Sequence, residues 1–129
     1  MSRLERSHFV ALAIALVVVL GFTLAGGTQA LGAHPWWAGK VGYIGVGIGA
    51  VVWLVGSVVR LGGRWLVLAA SGALGAAGLA VWLGKARFAE TYADDVLAGR
   101  FWYFGWIAAM AAACVLIAVL IEAARRPRP

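Results

Sequence analysis

The sequence predicts an all-α integral membrane protein, a four-helix bundle with a short amphipathic surface helix between spans 3 and 4. The chain of 129 residues is 64% hydrophobic and 12% charged, whereas a soluble domain carries about twice that share of charge. Uncharged runs of about 17 to 21 residues occur four times, and each is long enough to cross a hydrocarbon core of about 30 Å as a helix. The charged residues lie between these runs and at the chain ends. We therefore expect one transmembrane domain over residues 1–129.

The first predicted span covers residues 9–25 and follows Arg3 and Arg6. A secretory signal begins in the same way, and the residues Thr28, Gln29 and Ala30 resemble a cleavage site. The uncharged run is longer than the usual apolar core of a signal, which is about 7 to 15 residues, and three further spans follow. We therefore expect an uncleaved transmembrane helix.

Residues 26–40 form the first predicted outer loop. The Gly-Gly pair at 26–27 ends the helix, and the residue before Pro35 is disfavoured in the α region. Aromatic residues near the ends of the spans are typical of the belt that membrane proteins form at the water–lipid interface. The predicted belt consists of Trp36, Trp37, Trp102, Tyr103 and Trp106.

The second and third predicted spans cover residues 41–59 and 65–84 and are joined by the five residues RLGGR. A connection this short is typical of antiparallel helices that pack as neighbours. We therefore expect these two spans to form a helical hairpin.

Residues 85–100 form the second outer loop and the only long polar segment between spans. Phe88, Tyr92 and Val96 recur at helical spacing and predict the amphipathic surface helix, lying on the membrane. The fourth span covers residues 101–121 and is followed by Glu122, which we interpret as one partner of an interfacial charge pair with the arginines that follow it.

The distribution of positive charge predicts the orientation, because cytoplasmic loops carry an excess of Lys and Arg. With four spans, one side carries Arg3, Arg6, Arg60, Arg64, Arg125, Arg126 and Arg128, and the other carries Lys40, Lys85, Arg87 and Arg100. The richer side contains both termini. We therefore predict a multi-pass protein of the prokaryotic cytoplasmic (inner) membrane with both termini in the cytoplasm.

Small residues predict how the helices pack, because in lipid they allow close approach of two backbones. They recur on one face of each of three spans, and we expect these faces to meet in one bundle with Trp53, Trp65 and Trp82 directed towards lipid or the aromatic belts. The alternative is that one face stays open for a partner helix or a pigment. The predicted packing residues are Gly42, Gly45, Gly49 and Gly56 in the second span, Ser71, Gly75 and Gly78 in the third, and Gly105, Ala109 and Ala112 in the fourth.

The polar residues exclude several functional classes. The spans contain no Asp, Glu, Lys, Arg or His away from their ends, whereas proton-coupled transporters place ionisable groups within the bilayer. The single cysteine, Cys114, allows no intrachain disulfide, and no catalytic constellation is present, so we expect no enzyme activity. The net charge of +6 lies at the span ends without an aromatic stacking surface, which argues against nucleic-acid binding.

Two histidines are candidates for binding a cofactor. His8 and His34 are predicted on opposite sides of the membrane, so they cannot bind one iron as a pair, but His34 has the chemistry of a single axial haem ligand. The acidic residues Glu90, Asp94 and Asp95 are interpreted as a solvated surface rather than a metal site. No cofactor motif is evident, and haem, quinone, carotenoid or lipid all stay open because an apolar ligand leaves no sequence signature.

These observations favour a non-catalytic accessory or structural subunit of a larger membrane complex, with the lipid bilayer and other membrane subunits as partners; respiratory and photosynthetic complexes are examples of such assemblies. One alternative is a homo-oligomeric channel or carrier with a polar path near Tyr43, Ser57 and Ser71. A second alternative is a membrane anchor subunit that binds haem or quinone.

Overall fold

The computed structural model describes residues 6–125, and these residues form five helices and no strand. The prediction of an all-helical protein is confirmed. The helices are α1 (Arg6–Leu24), α2 (Gly27–Ala30), α3 (Ala38–Val58), α4 (Gly63–Glu90) and α5 (Val96–Arg125). Arg3, Arg126 and Arg128, which contribute to the predicted orientation, lie outside the described residues.

Three of these helices, α3, α4 and α5, are long and apolar enough to cross a membrane. Their exposed side chains are largely apolar and fit contact with lipid. The apolar part of α1 is shorter and covers His8–Leu24. The chain is therefore a multi-pass helical membrane protein by length and composition, and a fourth crossing by α1 stays a prediction.

α5 is the central helix of the bundle. It packs against α1, α3 and α4, and α1 also packs against α3. α3 and α4 have no extensive contact with each other, although Gly56 lies close to Leu66 near their turn. The prediction that these two helices pack as neighbours is therefore wrong, because both place their closest-packing residues against α5, which separates them.

The contacts fix the relative directions of the helices. Gly45 lies beside Met110 and Gly49 beside Cys114, so α3 runs parallel to α5. Gly84 lies beside Trp102, near the end of α4 and the beginning of α5, so these two helices are antiparallel.

The two ends of the bundle differ in what they contain. The ring of Phe9 lies 5.9 Å from the ring of Trp53, and Trp53 is hydrogen-bonded to Glu122. The beginning of α1, the end of α3 and the end of α5 therefore meet at one end, which we call the terminal end. α2 and the turn between α4 and α5 lie at the other, which we call the loop end.

The prediction of a surface helix over residues 85–100 is wrong, because the structure divides this segment between two long helices. α4 continues without interruption to Glu90, and α5 begins at Val96. Gly84 lies within α4 and allows its close approach to α5: a Cβ atom there would lie 2.7 Å from the carbonyl oxygen of Ala98. The polar segment therefore extends α4 beyond its apolar part and begins α5.

A short capped turn joins α4 to α5. Asp95 Oδ1 accepts a hydrogen bond from the Ala98 backbone N–H at 3.0 Å, as a residue at a helix N-terminus commonly does. Asp95 Oδ2 accepts one from Arg87 Nε at 3.2 Å. Both hydrogen bonds stabilise the charged carboxylate, the bond from Ala98 more than the bond from Arg87. Together they hold the pKa of Asp95 below its ordinary value of 3.8.

Candidate functional site

The predicted packing residues of α3 lie within the bundle. Gly42, Gly45, Gly49 and Gly56 are all buried. A Cβ atom at Gly49 would lie 2.8 Å from Cys114 Cβ and 2.9 Å from a backbone carbonyl oxygen of α5. Close approach of α3 to α5 therefore requires glycine at this position.

The predicted packing residues of α5 are also buried, which places them in the centre of the bundle. A Cβ atom at Gly105 would lie 3.0 Å from Val81 Cγ2, so Gly105 lies against α4. Ala109 and Ala112 are buried in the same helix.

The predicted packing residues of α4 have a different position. Ser71, Gly75 and Gly78 are exposed, and a Cβ atom at Gly75 or Gly78 would meet no atom within 4 Å. The structure does not bring these three residues against another described helix, so the alternative of an open face is the arrangement present. Together with their exposed neighbours they form a surface that we call the α4 face: Leu68, Ser71, Gly72, Gly75, Gly78, Leu79 and Trp82.

The tryptophans predicted to face lipid fall into two groups. Trp65 and Trp82 are exposed, but Trp53 is completely buried. Its indole Nε1 donates a hydrogen bond to Glu122 Oε1 at 3.0 Å. The expectation for Trp53 is wrong because α1, α3 and α5 converge at its position. Glu122 therefore has Trp53 as a hydrogen-bond partner, which the arginines beside it in sequence did not indicate.

An aromatic cluster lies at the loop end, where the loop before α3 meets α4 and α5. The ring of Trp37 lies 5.1 Å from that of Trp102 and 5.2 Å from that of Tyr103. Phe88 contacts Trp102 at 5.7 Å, and His34 contacts both indole rings. Edge-to-face pairs of this kind stabilise beyond their buried area, so the cluster fixes the loop onto the helices.

His34 is held in this cluster by its ring and by one ring nitrogen. The ring stacks on Trp37 with 6.0 Å between centroids, and Nδ1 accepts a hydrogen bond from the Trp36 backbone N–H at 3.2 Å. A neutral imidazole that accepts at Nδ1 carries its proton on Nε2. His34 in this arrangement is therefore a hydrogen-bond donor through Nε2, and binding iron through Nε2 would require the proton to move to Nδ1 and the hydrogen bond from Trp36 to break.

The predicted aromatic belt is only partly on the surface. Trp36 is 91% exposed, and Trp37 and Tyr103 are half-buried, but Trp102 and Trp106 are only 8% and 7% exposed. The expectation that these two indoles face the interface is wrong because α5 is central. Neither Trp102 Nε1 nor Trp106 Nε1 has an acceptor among the described residues, and a buried donor without an acceptor costs about 1–3 kcal/mol.

Lys85 adds a positive charge to the cluster. Its Nζ lies 5.9 Å from the centroid of the Trp102 ring, which is a cation–π distance. Residues 6–125 contain no group of three or more His, Cys, Asp or Glu side chains arranged to hold a metal ion. The local chemistry is therefore that of hydrogen-bond donors and one cation, which suits a ligand with acceptor oxygens.

The polar residues expected to line a channel do not come together within one chain. Tyr43 and Ser57 are 14 positions apart on α3, which is about 21 Å along the helix. The Ser57 hydroxyl donates to the backbone oxygen of Trp53, and Ser71 lies on the α4 face. A polar path through these residues would therefore require more than one copy.

Sequence reasoning missed two of the polar contacts. Asp95 directly precedes an apolar helix, which is a signal for an N-terminal cap, and that signal was available. The hydrogen bond between Trp53 and Glu122 joins residues 69 positions apart, and no local pattern predicts it. The missing acceptors of Trp102 and Trp106 likewise depend on how the helices pack around α5.

Comparisons with known proteins identify no relative: no family model matches the chain, and neither a curated protein nor a solved structure does.

Proposed function

We propose that the protein is a non-catalytic accessory or structural subunit of a larger membrane protein complex, and that it docks through the α4 face. In this proposal α1 also crosses the bilayer, both termini are cytoplasmic, and the membrane is the inner membrane of a prokaryote. A respiratory or photosynthetic complex is the kind of assembly that uses such small subunits.

The main support for this proposal is the open position of α4. This helix packs extensively against α5 alone among the described helices, and only 11% of its apolar segment is buried, against 56% in α5. The remaining surface of α4 therefore has room for another helix.

The composition of the α4 face favours a helix over lipid as its neighbour. Gly72, Gly75 and Gly78 have no atom within 4 Å of a Cβ position, and each glycine costs about 0.8–1 kcal/mol of helix stability relative to alanine in water. The exposed faces of α1 and α3 instead carry branched side chains such as Val17 and Val51. A surface of small residues is the kind that a second helix approaches closely in lipid.

Site-specific photo-crosslinking in native membranes tests this proposal. A photoreactive phenylalanine analogue replaces Gly75 on the α4 face, and Val51 on the exposed side of α3 serves as the matched control. We expect one membrane protein to be crosslinked at position 75 in stoichiometric yield and little at position 51. The same protein is expected to copurify in mild detergent.

Two results would contradict docking to another subunit. A crosslink between two copies of the chain at position 75 would favour the homo-oligomeric channel or carrier. Equal crosslinking to lipid at positions 75 and 51 would mean that α4 faces the bilayer.

A second candidate function, binding of a quinone by a membrane anchor subunit, is favoured by the unpaired donors at the loop end. Trp102 Nε1 and Trp106 Nε1 lack acceptors, and the carbonyl oxygens of a quinone supply them. Addition of a short-chain quinone to purified protein is expected to quench indole fluorescence saturably. Trp102→Phe, which keeps an aromatic ring but removes the N–H donor, is expected to weaken that saturable binding, and unsaturable quenching would exclude the site.

A further inference from the structure

A groove between α4 and the beginning of α5 lies beside the α4 face and has a volume of about 470 Å³. Its lining is almost wholly apolar and includes Ala76, Ala80 and Leu83 of α4 and Phe101 of α5. At the loop end the lining changes to the ion pair of Arg87 and Asp95. We propose that this groove binds one acyl chain of a glycerophospholipid whose phosphate is held by Arg87.

The length of the groove matches one leaflet of a bilayer. Its lining extends along α4 from Ala76 to Arg87, which at 1.5 Å per residue is about 16 Å. Half of a hydrocarbon core is about 15 Å. An acyl chain that begins at the headgroup level beside Arg87 therefore ends near the middle of the membrane beside Ala76.

The open mouth of the groove presents the donors that a phosphate requires. Arg87 bonds Asp95 through Nε at 3.2 Å, which orients the guanidinium and leaves its two terminal nitrogens for another acceptor. These nitrogens form the planar fork that binds phosphate oxygens in a bidentate manner. Asp95 has one oxygen directed to Arg87 and the other to the Ala98 N–H, so the carboxylate acts as the anchor of Arg87.

The charge at the mouth and the apolar lining select the class of ligand together. An acyl chain without a phosphate leaves the fork of Arg87 in water, whereas inorganic phosphate leaves the apolar lining uncovered. A glycerophospholipid satisfies both parts. The groove shares Leu79 with the α4 face, so a membrane protein partner and the lipid contact neighbouring sides of α4.

Native mass spectrometry with added lipid tests the site. The probes are dioleoyl-phosphatidylglycerol and dioleoylglycerol, which share acyl chains and differ in the phosphate. We expect one tightly bound phosphatidylglycerol per wild-type chain, and about tenfold weaker binding for Arg87→Gln, because a charge-assisted hydrogen bond is lost. Arg64→Gln, at the other end of α4, is the matched charge control and is expected to bind as the wild type does.

Blocking variants test the apolar part of the site. Ala80→Phe fills the middle of the groove, and Ala76→Phe fills the end that lies nearest the middle of the membrane. Ala76 is exposed and contributes little to folding. Ala69→Phe, an exposed residue of α4 that does not line the groove, is the control. We expect both groove variants, but not the control, to lower phosphatidylglycerol binding about tenfold.

The proposal fails if Ala76→Phe, folded as judged by its helical circular dichroism, binds phosphatidylglycerol as well as Ala69→Phe does. It also fails if dioleoylglycerol binds as tightly as phosphatidylglycerol, or if Arg87→Gln and Arg64→Gln bind equally. These outcomes do not depend on the proposed docking of α4 to another subunit, because they are measured on the isolated chain.

Discussion

α4 and α5 are both long apolar helices, and they are joined by one short turn, yet they have opposite surroundings. More than half of the apolar segment of α5 is buried, but only about a tenth of that of α4. Among the described helices, α5 packs against three others, whereas α4 packs extensively against α5 alone. Because lipid and protein interior are similarly apolar, hydropathy identifies both helices as membrane segments and does not distinguish the buried one from the exposed one.

Glycine shows the same contrast at the level of single residues. Gly84 and Gly105 lie where the backbones of α4 and α5 approach, whereas Gly72 and Gly75 have open space at their Cβ positions. The difference teaches that a small residue in a membrane helix has two separate uses. It allows packing within the chain, or it leaves a flat surface for something outside it.

The largest expected effect comes from opening the contact between α5 and α3. Gly49→Leu places a side chain where even a Cβ atom would lie only 2.9 Å from a backbone oxygen of α5. We expect the free energy of unfolding to fall by about 3 kcal/mol or more. Gly47→Leu is the control, because its Cβ position is open. Unfolding in mixed micelles with increasing dodecyl sulfate measures both, and equal stabilities would contradict the central position of α5.

A smaller effect is expected at the two faces of α4. Gly84→Ala introduces a Cβ atom 2.7 Å from backbone atoms of Ala98 and Trp102, and we expect a loss of about 1–3 kcal/mol. Gly75→Ala, in the same helix, is expected not to destabilise the isolated chain, because its Cβ position is open and alanine favours the helix. If Gly75→Ala were the more destabilising of the two, the assignment of the packed and open faces would be reversed.

The buried indole of α3 is expected to matter more than the exposed indole of α4. Trp53→Phe removes the hydrogen bond to Glu122 and leaves a half-buried carboxylate without that donor, which we expect to cost about 1–2 kcal/mol. Trp82→Phe, at a position that is 69% exposed, is expected to be within about 0.5 kcal/mol of wild type. The same mixed-micelle titration compares them, and similar losses would show that the Glu122 bond contributes little.

The smallest effect is expected at the turn between α4 and α5 and depends on pH. Because the pKa of Asp95 is lower in the folded state than in the unfolded one, its stabilisation is fully present above the ordinary value of 3.8. That stabilisation is lost as the pH falls below 3.8 and passes through the lower pKa that Asp95 has in the folded state. Asp95→Asn is expected to reduce this acid-dependent loss of thermal stability, whereas Asp94→Asn is expected to retain it. An unchanged slope in Asp95→Asn would contradict the capping role.

The sequence predicted where the helices lie better than it predicted which helices pack against each other. The apolar runs located α1, α3, α4 and α5, since length and lack of charge are local properties. The third span was predicted to end at residue 84, where the uncharged run ends before Lys85, and α4 continues beyond it to Glu90. The packing role of Gly84 depends on Ala98 and Trp102, which no local pattern connects to it.

The candidate sites were predictable to different extents. The α3 packing residues follow from their helical spacing, because small residues on one face allow close approach of two backbones in lipid. A similar spacing on α4 left two arrangements open, packing within the bundle or an open face, since a pattern on one helix contains no information about which helix lies opposite. The burial of Trp53, Trp102 and Trp106 depends on the central position of α5, which is a property of the whole bundle.

The central position of α5 has a consequence for biosynthesis. Of the described helices, α5 is the last to leave the ribosome, and α4 has its one extensive intramolecular contact with it. Until α5 enters the bilayer, α1 and α3 can associate with each other, but α4 must remain a separate span surrounded by lipid or by the insertion machinery. Completion of the bundle is therefore a late event in synthesis, and it occurs only when the most buried helix arrives.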